Sequence, residues 1–224
     1  RPPPKMRSHA SWRRTGASRV AGAEHPADFR CGHVAIVGRP SVGKSTLMNA
    51  LVGEKVSITS KKPQTTRHRI VGIDTGPSAQ FVYVDTPGFQ TKHRSRLNER
   101  LNRAVRESLA EVDAVVLVLD ATRLTEADRA VVKLLPAKVP VIAALNKIDL
   151  LPQKDALLPR LAEVAAWHAF AAIVPISAER GAQLAELKGE IAKVLPVSPP
   201  LYPEDDVTDR DERFLAAEYI REKI

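Results

Sequence analysis

The segment GRPSVGKS, residues 38–45, constrains the fold of this chain more than any other stretch. It follows an apolar run at 34–37 and opens a stretch, 44–52, with the pattern of a helix. A glycine-rich loop between a strand and a helix directs backbone N–H groups and the positive end of the helix dipole at an anion. The segment therefore predicts a phosphate-binding loop on an α/β scaffold.

The rest of the chain repeats this alternation of short apolar runs and helical patterns. We predict buried strands at 34–37, 81–84, 115–119, 141–145 and 173–176, and helices at 44–52, 96–110, 125–135, 154–168 and 181–194. Residues 68–74 are expected to form an edge strand antiparallel to 81–85. The predicted fold class is α/β: a three-layer P-loop NTPase G domain over 31–197, with a mostly parallel six-stranded sheet, helices on both faces and the start of a second domain.

Composition separates a tail from this domain. Of the net charge of +8, residues 1–30 carry +5, from seven Lys or Arg against Glu24 and Asp28. The prolines and the lack of apolar periodicity predict a disordered basic tail over 1–30, although the composition is also typical of an organelle transit peptide. No apolar run approaches the roughly 20 residues needed to span a bilayer. Cys31 is the single cysteine, so we expect a structural role for it, and we expect no metal role for the histidines.

Residues 198–224 differ again. A proline-rich stretch indicates a linker, and Thr208 is a suitable N-cap for a helix that would carry an apolar stripe on one face. The stripe consists of Leu215, Ala216, Tyr219, Ile220 and Ile224. Because a short amphipathic helix needs a partner to bury its stripe, we expect a second domain that continues past Ile224.

Within the phosphate loop, each residue type has a part in the chemistry. Gly38 and Gly43 permit the tight path, and Lys44 places its charge at the β- and γ-phosphates. Ser45 offers a hydroxyl to Mg²⁺. Family analogy alone implies that Thr46 lies near the α-phosphate. The predicted nucleotide-binding residues of this loop are Gly38, Ser41, Val42, Gly43, Lys44, Ser45 and Thr46.

Two further motifs complete the phosphate side of the site. Asp85 ends a strand before Thr86-Pro87-Gly88, so its carboxylate can reach the Mg²⁺ shell while the Gly88 amide approaches the γ-phosphate. Thr66, next to Thr65 in a polar segment, can ligate Mg²⁺ only when the γ-phosphate is present, which would make this segment a switch. A basic surface loop is the alternative interpretation of the same segment.

The base-binding side is predicted by Asn146-Lys147-Ile148-Asp149 and by Ser177-Ala178. Asp149 supplies an acceptor matched to two adjacent donors of guanine, which adenine does not offer. Asn146 would brace the loop, Lys147 would lie along the base, and the backbone of Ser177 and Ala178 would contact the guanine carbonyl oxygen. In this order along the chain, the motifs predict GTP or GDP as the ligand.

Residues 33–224 resemble the Era family of bacterial ribosome-assembly GTPases. Beyond the shared nucleotide motifs, the resemblance is carried by residues 62–70 (KPQTTRHRI), 85–89 (DTPGF) and 205–218 (DDVTDRDERFLAAE). The resemblance implies an Mg²⁺-dependent GTPase that acts in assembly of the small ribosomal subunit and binds 16S rRNA through a KH domain, of which 198–224 would be the linker and first helix. It implies a cytoplasmic protein and leaves peripheral attachment to the inner membrane open.

The mechanism implied by the resemblance assigns catalysis to Lys44, Thr66 and Gly88, and metal binding to Ser45, Thr66 and Asp85. Phe89 occupies the place where Ras-like enzymes carry the glutamine that orients water, so we expect slow intrinsic hydrolysis. Ser41 stands where potassium-activated relatives carry Asn, so K⁺ is not included among the expected cofactors. Two alternatives stay open: a nucleotide-gated RNA or protein adaptor with negligible hydrolysis, and a related GTPase with another RNA client.

Overall fold

Six strands form one sheet in the computed structural model, which describes residues 25–57, 70–85, 109, 111–209 and 220. The strands are β1 (Arg30–Val37), β2 (Ile70–Thr75), β3 (Ala79–Asp85), β4 (Ala114–Asp120), β5 (Val141–Asn146) and β6 (Ala172–Pro175). Their order across the sheet is β2-β3-β1-β4-β5-β6. All neighbouring pairs are parallel except β2 with β3, which confirms the predicted edge strand and the mostly parallel sheet.

Four helices are described along the chain: α1 (Lys44–Val52), α2 (Glu126–Val132), α3 (Leu157–Ala165) and α4 (Leu184–Val194). Short 3₁₀ turns lie at Ile148–Leu150 and Lys154–Ala156. The helix predicted over 96–110 lies outside the described residues, apart from Leu109, which is helical and buried. The helix predicted after Thr208 also lies outside them, apart from Ile220.

Three helices are shorter than predicted, for local reasons. Helix α2 stops before Leu135 because Pro136 disfavours helical backbone in the residue preceding it. Helix α4 starts at Leu184, three residues later than predicted, because Gly181 and Gln183 have positive φ angles of 69° and 59°. In α3, a 3₁₀ turn replaces the predicted first residues.

The sheet alternates its side chains between two apolar cores. On β1, Val34 and Ile36 face the core built with α1 and α4, whereas Ala35 and Val37 face the core built with α2 and α3. Because both faces are covered, the inner strands are apolar in nearly every position, which is the pattern that the sequence showed. The polar residues at the carboxyl ends of these strands, Asp85, Asp120 and Asn146, are exceptions that lie at the site, and Gln80 within β3 is a further exception.

Residues on either side of the predicted domain limits pack on this sheet. Phe29 is buried and its carbonyl accepts the N–H of Ser198, so residues 25–30 belong to the folded domain and the tail predicted over 1–30 was drawn too long. Residues 1–24 lie outside the described residues. The predicted linker is docked too: Val207 accepts the N–H of Ile73, and the Thr208 hydroxyl donates to the carbonyl of Val71 at 2.7 Å.

Gln80 is the buried side chain that holds this linker. Its Oε1 accepts the N–H groups of Leu201 and Tyr202 at 2.7 and 3.0 Å, and its Nε2 donates to the Tyr202 carbonyl at 2.8 Å. Gln80 itself is fully buried near the start of β3. Nearby, burial raises the pKa of the Cys31 thiol to about 11; a hydrogen bond with the Leu201 backbone acts in the opposite direction and the charge of Asp113 raises it further, so this cysteine stays protonated.

Candidate nucleotide-binding site

The phosphate loop runs between β1 and α1 along a path that its two glycines make accessible. Gly38 has φ +152°, and a Cβ there would lie 2.5 Å from the carbonyl oxygen of Val118. Gly43 has φ +103°, and a Cβ there would overlap the side-chain nitrogen of Asn146. Both predicted glycines are therefore required by backbone conformation and by close packing.

Lys44 is a buried cation at the first position of α1. Its exposed fraction is 8 %, and its Nζ donates to the carbonyl oxygen of Arg39 at 3.0 Å, so the side chain folds back over the loop. Burial lowers the pKa of Lys44 to about 8; the Asp85 carboxylate acts in the opposite direction, and the Arg39 guanidinium lowers it further. An anion beside this desolvated ammonium, such as a phosphate, would stabilise its charged form.

Ser45 and Asp85 meet on the other side of the loop. The Ser45 hydroxyl donates to Asp85 Oδ2 at 2.9 Å, and the Ser57 hydroxyl donates to the same oxygen at 2.9 Å. Asp85 is fully buried at the carboxyl end of β3. Hydroxyl and carboxylate oxygens are ligands that Mg²⁺ accepts, and Mg²⁺ at nucleotide sites takes few protein ligands because phosphates and waters fill its shell. This pair fits the metal predicted for it.

The described residues contain no group of three or more His, Cys, Asp or Glu side chains that could hold a metal by themselves. A metal at Ser45 and Asp85 would need further ligands, such as phosphate oxygens of a nucleotide and waters.

Asn146, the last residue of β5, braces two loops at once. Its Nδ2 donates to the Val42 carbonyl at 2.9 Å, and its Oδ1 accepts the Ala178 N–H at 2.9 Å. The phosphate loop and the Ser177–Ala178 segment are thus fixed to a single buried amide, as the sequence predicted for Asn146. To reach the guanine carbonyl oxygen as predicted, the Ala178 N–H would share its hydrogen with Asn146.

Lys147 crosses from this loop to the phosphate loop. It adopts a left-handed backbone conformation with φ 68°, and its Nζ donates to the Ser41 carbonyl at 2.9 Å and to Asp120 Oδ2 at 2.7 Å. Burial alone would raise the pKa of Asp120, but hydrogen bonds from Lys147 and Thr122, with the charge of Lys147, hold it below its usual range. The carboxylate is thus ionised and fixes the direction of the lysine stem.

Asp149 lies in the 3₁₀ turn after Lys147 and is 12 % exposed in its side chain. The Arg180 guanidinium approaches its Oδ2 at 3.6 Å from a largely exposed position. Ser177, which is buried, pairs with Ala182 in an isolated bridge, and this closes the loop that faces Asp149. Thr46 is half-buried in the first turn of α1.

Thr65, Thr66, Thr86, Pro87, Gly88 and Phe89 lie outside the described residues. The predictions for the switch, for the γ-phosphate amide and for the water-orienting position are therefore not addressed by the geometry. The other predicted residues come from the carboxyl ends of β1, β3, β5 and β6, which meet at one edge of the sheet.

Sequence reasoning missed three contributors. Asp120 ends a buried strand, β4, in the same way as Asp85 and Asn146, so that position alone was a usable signal. Asp128 follows Thr125 in the spacing of a capping box, which the structure shows. Ser57 lies in the loop after α1, and no local pattern marked it.

Comparisons with known proteins agree with this geometry. The model of a family described as 50S ribosome-binding GTPase matches residues 33–147. The chain is 58 % identical over 196 residues to GTPase Era of Chromobacterium violaceum, which covers 88 % of this chain and 66 % of that protein. It is 56 % identical over 207 residues to GTPase Era of Neisseria meningitidis serogroup B, at 92 % and 67 % coverage. The chain thus spans about two thirds of the length of these relatives.

Two solved structures have the same fold. A variant of Aquifex aeolicus Era bound to GDP·AlF₄⁻ superposes with a TM-score of 0.81 at 42 % identity, covering 87 % of this chain and 67 % of that one. Era in complex with MgGDPNP and nucleotides 1506–1542 of 16S ribosomal RNA superposes with a TM-score of 0.82 at 43 % identity and the same coverage.

The sheet order, the phosphate loop and the base loop define a P-loop GTPase domain. Comparison with its relatives narrows this class of protein to one family. The chain belongs to the Era family of GTPases, as the resemblance noted above predicted. Within the described residues, no helix has the length and apolar character to cross a bilayer.

Proposed function

We propose that this chain binds and hydrolyses GTP to GDP and phosphate with Mg²⁺, as a nucleotide switch. The observation that carries the proposal is the direct connection between the base loop and the phosphate loop. Asn146 bonds to the carbonyl of Val42 and Lys147 to that of Ser41, so Asp149 is held at a fixed distance from Lys44. A single ligand that carries guanine and phosphates can therefore contact Asp149 with its base and Lys44 with its phosphates.

The proposed residues divide between the phosphates and the metal, and Ser45 serves both. Lys44, Ser45 and the loop amides would hold the β- and γ-phosphates, while Ser45, Asp85 and Thr66 would hold Mg²⁺, which stabilises charge that develops during transfer. Gly88 would donate its amide to the γ-phosphate. Because Phe89 cannot orient water, the attacking water needs another group, from the backbone or from a partner. Intrinsic hydrolysis is therefore slow.

The proposed client is the small ribosomal subunit. The relatives named GTPase Era match this chain over most of its length, and one Era structure contains a 16S rRNA segment together with a nucleotide. A KH domain after the linker would bind the RNA, and the location would then be cytoplasmic. Peripheral membrane attachment stays a prediction from the resemblance.

The second candidate is a nucleotide-gated RNA or protein adaptor with negligible hydrolysis. The observation that favours it is Phe89 directly after Gly88, since the sequence leaves the water-activating group unassigned. A related GTPase with another RNA client shares the nucleotide chemistry and differs only in the partner.

Single-turnover GTP hydrolysis, with and without small ribosomal subunits, tests the proposal in the full-length protein. We expect slow turnover alone and faster turnover with subunits. Tight GTP binding without turnover in either condition would support the adaptor instead. Acceleration by another RNA, and not by the subunit, would identify a different client.

Base choice is tested by Asp149→Asn. The substitution places a donor where the guanine donors lie, so GDP affinity should fall by at least about 100-fold and xanthosine diphosphate, which has a carbonyl there, should become the better ligand. Titration with both fluorescent nucleotides measures this. Asp155→Asn, on an exposed 3₁₀ turn, serves as the control. Unchanged GDP affinity in the Asp149 variant would refute the assignment.

A further inference from the structure

The phosphate loop has a further anchor, formed by Arg39, a position of the GRPSVGKS segment to which no nucleotide contact is assigned, and by Asp128, which lies outside the nucleotide motifs. Arg39 follows Gly38, and its side chain reaches the start of α2. Its Nε donates to both carboxylate oxygens of Asp128, at 2.9 and 3.1 Å, and its Nη2 donates to the carbonyl of Arg123 at 2.9 Å. A planar guanidinium with three such bonds has little freedom to move.

The partner is fixed as firmly as the arginine. The Asp128 side chain is completely buried, and its Oδ2 also accepts the N–H and the hydroxyl of Thr125, at 2.9 and 2.7 Å. The Arg39 side chain is 18 % exposed. One carboxylate thus caps α2 and holds the phosphate loop, and removal of the arginine would leave a buried negative charge without its main partner.

The same residue holds Lys44 through its backbone. The carbonyl oxygen of Arg39 accepts the Lys44 ammonium at 3.0 Å, so the side chain of Arg39 fixes the peptide that fixes the lysine. The loop carbonyls further along, at Ser41 and Val42, are bound by Lys147 and Asn146. Arg39 is therefore the anchor at the β1 end of the loop, opposite the base-side anchors.

We propose that Arg39 and Asp128 act as a positioning pair that sets the Lys44 ammonium for the second phosphate of the nucleotide. The pair does not touch the ligand; it acts through the Arg39 peptide. This inference rests on the proposed function, because it assumes that Lys44 contacts the β-phosphate. It predicts that loss of the pair lowers the preference for GDP over GMP, since GMP has no β-phosphate for Lys44 to bind.

Arg39→Gln in the full-length protein provides the first test. Titration with fluorescent GDP and GMP should give a GDP Kd about tenfold higher than wild type and a GMP Kd within about twofold, so the ratio of the two falls about tenfold. A merely structural role would weaken both nucleotides in proportion, and that result, or an unchanged ratio, would overturn the inference. Arg160→Gln, which removes an arginine from a surface pair with Glu163 on α3, is the matched control and should change neither Kd.

Two further variants keep the test informative if Arg39→Gln is unstable. Arg39→Lys retains a charge near Asp128 but loses the planar guanidinium that reaches the Arg123 carbonyl. Its ratio of GMP Kd to GDP Kd should therefore lie between those of wild type and Arg39→Gln. Asp128→Asn retains an oxygen for Thr125, and in a double-mutant cycle it should add little to Arg39→Gln, because both remove the same contact. Additive effects on the ratio would overturn the inference.

The outcomes separate this inference from the function on which it rests. A wild-type protein that fails to bind GDP would refute both. A wild-type protein that binds GDP much better than GMP, with the same preference in Arg39→Gln, would refute the positioning pair alone.

Discussion

At the scale of one residue, the buried Lys44 ammonium lowers the stability of the nucleotide-free protein and favours the binding of phosphate. Its ammonium is buried and its pKa is about 8, below the ordinary 10.5, so the folded nucleotide-free protein disfavours the charged form. The free-energy cost of this charge is fully present below pH 8 and fades as the pH rises toward 10.5. A phosphate bound beside Lys44 can therefore restore the stability that burial of this charge removes.

Lys44→Met should therefore have opposite effects on stability and on binding. We expect the free energy of unfolding without nucleotide to rise by about 1 kcal/mol, because the buried charge goes and the apolar stem stays. GDP binding should be lost. Urea unfolding at pH 7 and nucleotide titration measure the two effects, with Lys193→Met, on an exposed lysine of α4, as the control. A destabilised variant that still binds GDP would contradict the account.

Asp120 is expected to give a pH-dependent contribution of the opposite kind. Hydrogen bonds from Lys147 and Thr122 lower the pKa of its carboxyl below the ordinary 3.8. The stabilisation is therefore present above pH 3.8 and is lost as the pH falls through the lower folded-state value.

Asp120→Asn should be less stable than wild type at pH 7, and the difference should narrow below pH 3.8. Thermal unfolding across this range checks it, and Asp155→Asn, at an exposed position, should show no such narrowing. A difference that is constant with pH would show that the carboxylate charge does not contribute.

At the scale of elements, the end of α1 organises the metal side of the site. Gly53, with φ 84°, closes the helix, and Asn49 from its last turns reaches the following loop. Its Oδ1 accepts the N–H groups of Val56 and Ser57, at 3.0 and 2.9 Å, and its Nδ2 donates to the Ser57 carbonyl at 2.8 Å. Ser57 in turn donates to Asp85. The helix thus positions the Asp85 carboxylate in two ways, directly through Ser45 and indirectly through the contact between Asn49 and the Ser57 loop.

Asn49→Ala should lower the free energy of unfolding by about 2–3 kcal/mol, because backbone groups that are partly buried lose their partners. It should also weaken Mg²⁺-dependent nucleotide binding by freeing Ser57 from Asp85. Asn49→Asp keeps the two accepted hydrogen bonds and loses the donated one, so its stability and its Mg²⁺-dependent nucleotide binding should lie between those of wild type and Asn49→Ala. Chemical unfolding and GDP titration with and without Mg²⁺ measure both effects. Wild-type values in the alanine variant would contradict this coupling.

The elements also show what a sequence can reveal. The strands were predictable because the inner strands are apolar on both faces, and the motif residues because they stand directly after those strands. Arg39 and Asp128 were not, since their contact joins positions 89 residues apart and depends on where α2 lies on the sheet. The linker was recognised from its prolines, but its docking depends on Gln80, a polar residue within a strand whose partners no local pattern could supply.

At the scale of the whole molecule, Gln80→Met should release the linker from the sheet. Methionine has a similar size but offers no partner to the N–H groups of Leu201 and Tyr202. Limited proteolysis between residues 198 and 208 should become about tenfold faster, because local opening exposes the cleavage sites. Gln153→Met, at an exposed position, is the control. Equal cleavage rates in wild type and variant would refute a role for Gln80 in holding this segment.

The docked linker sets the tether for whatever follows residue 209. If the chain were free after Leu195, the thirteen residues to Thr208 could span about 40 Å. Because Thr208 is bonded to Val71, the tether begins instead on β2, at the edge of the sheet. A following domain would be confined to a smaller volume around that edge, which raises its effective concentration there.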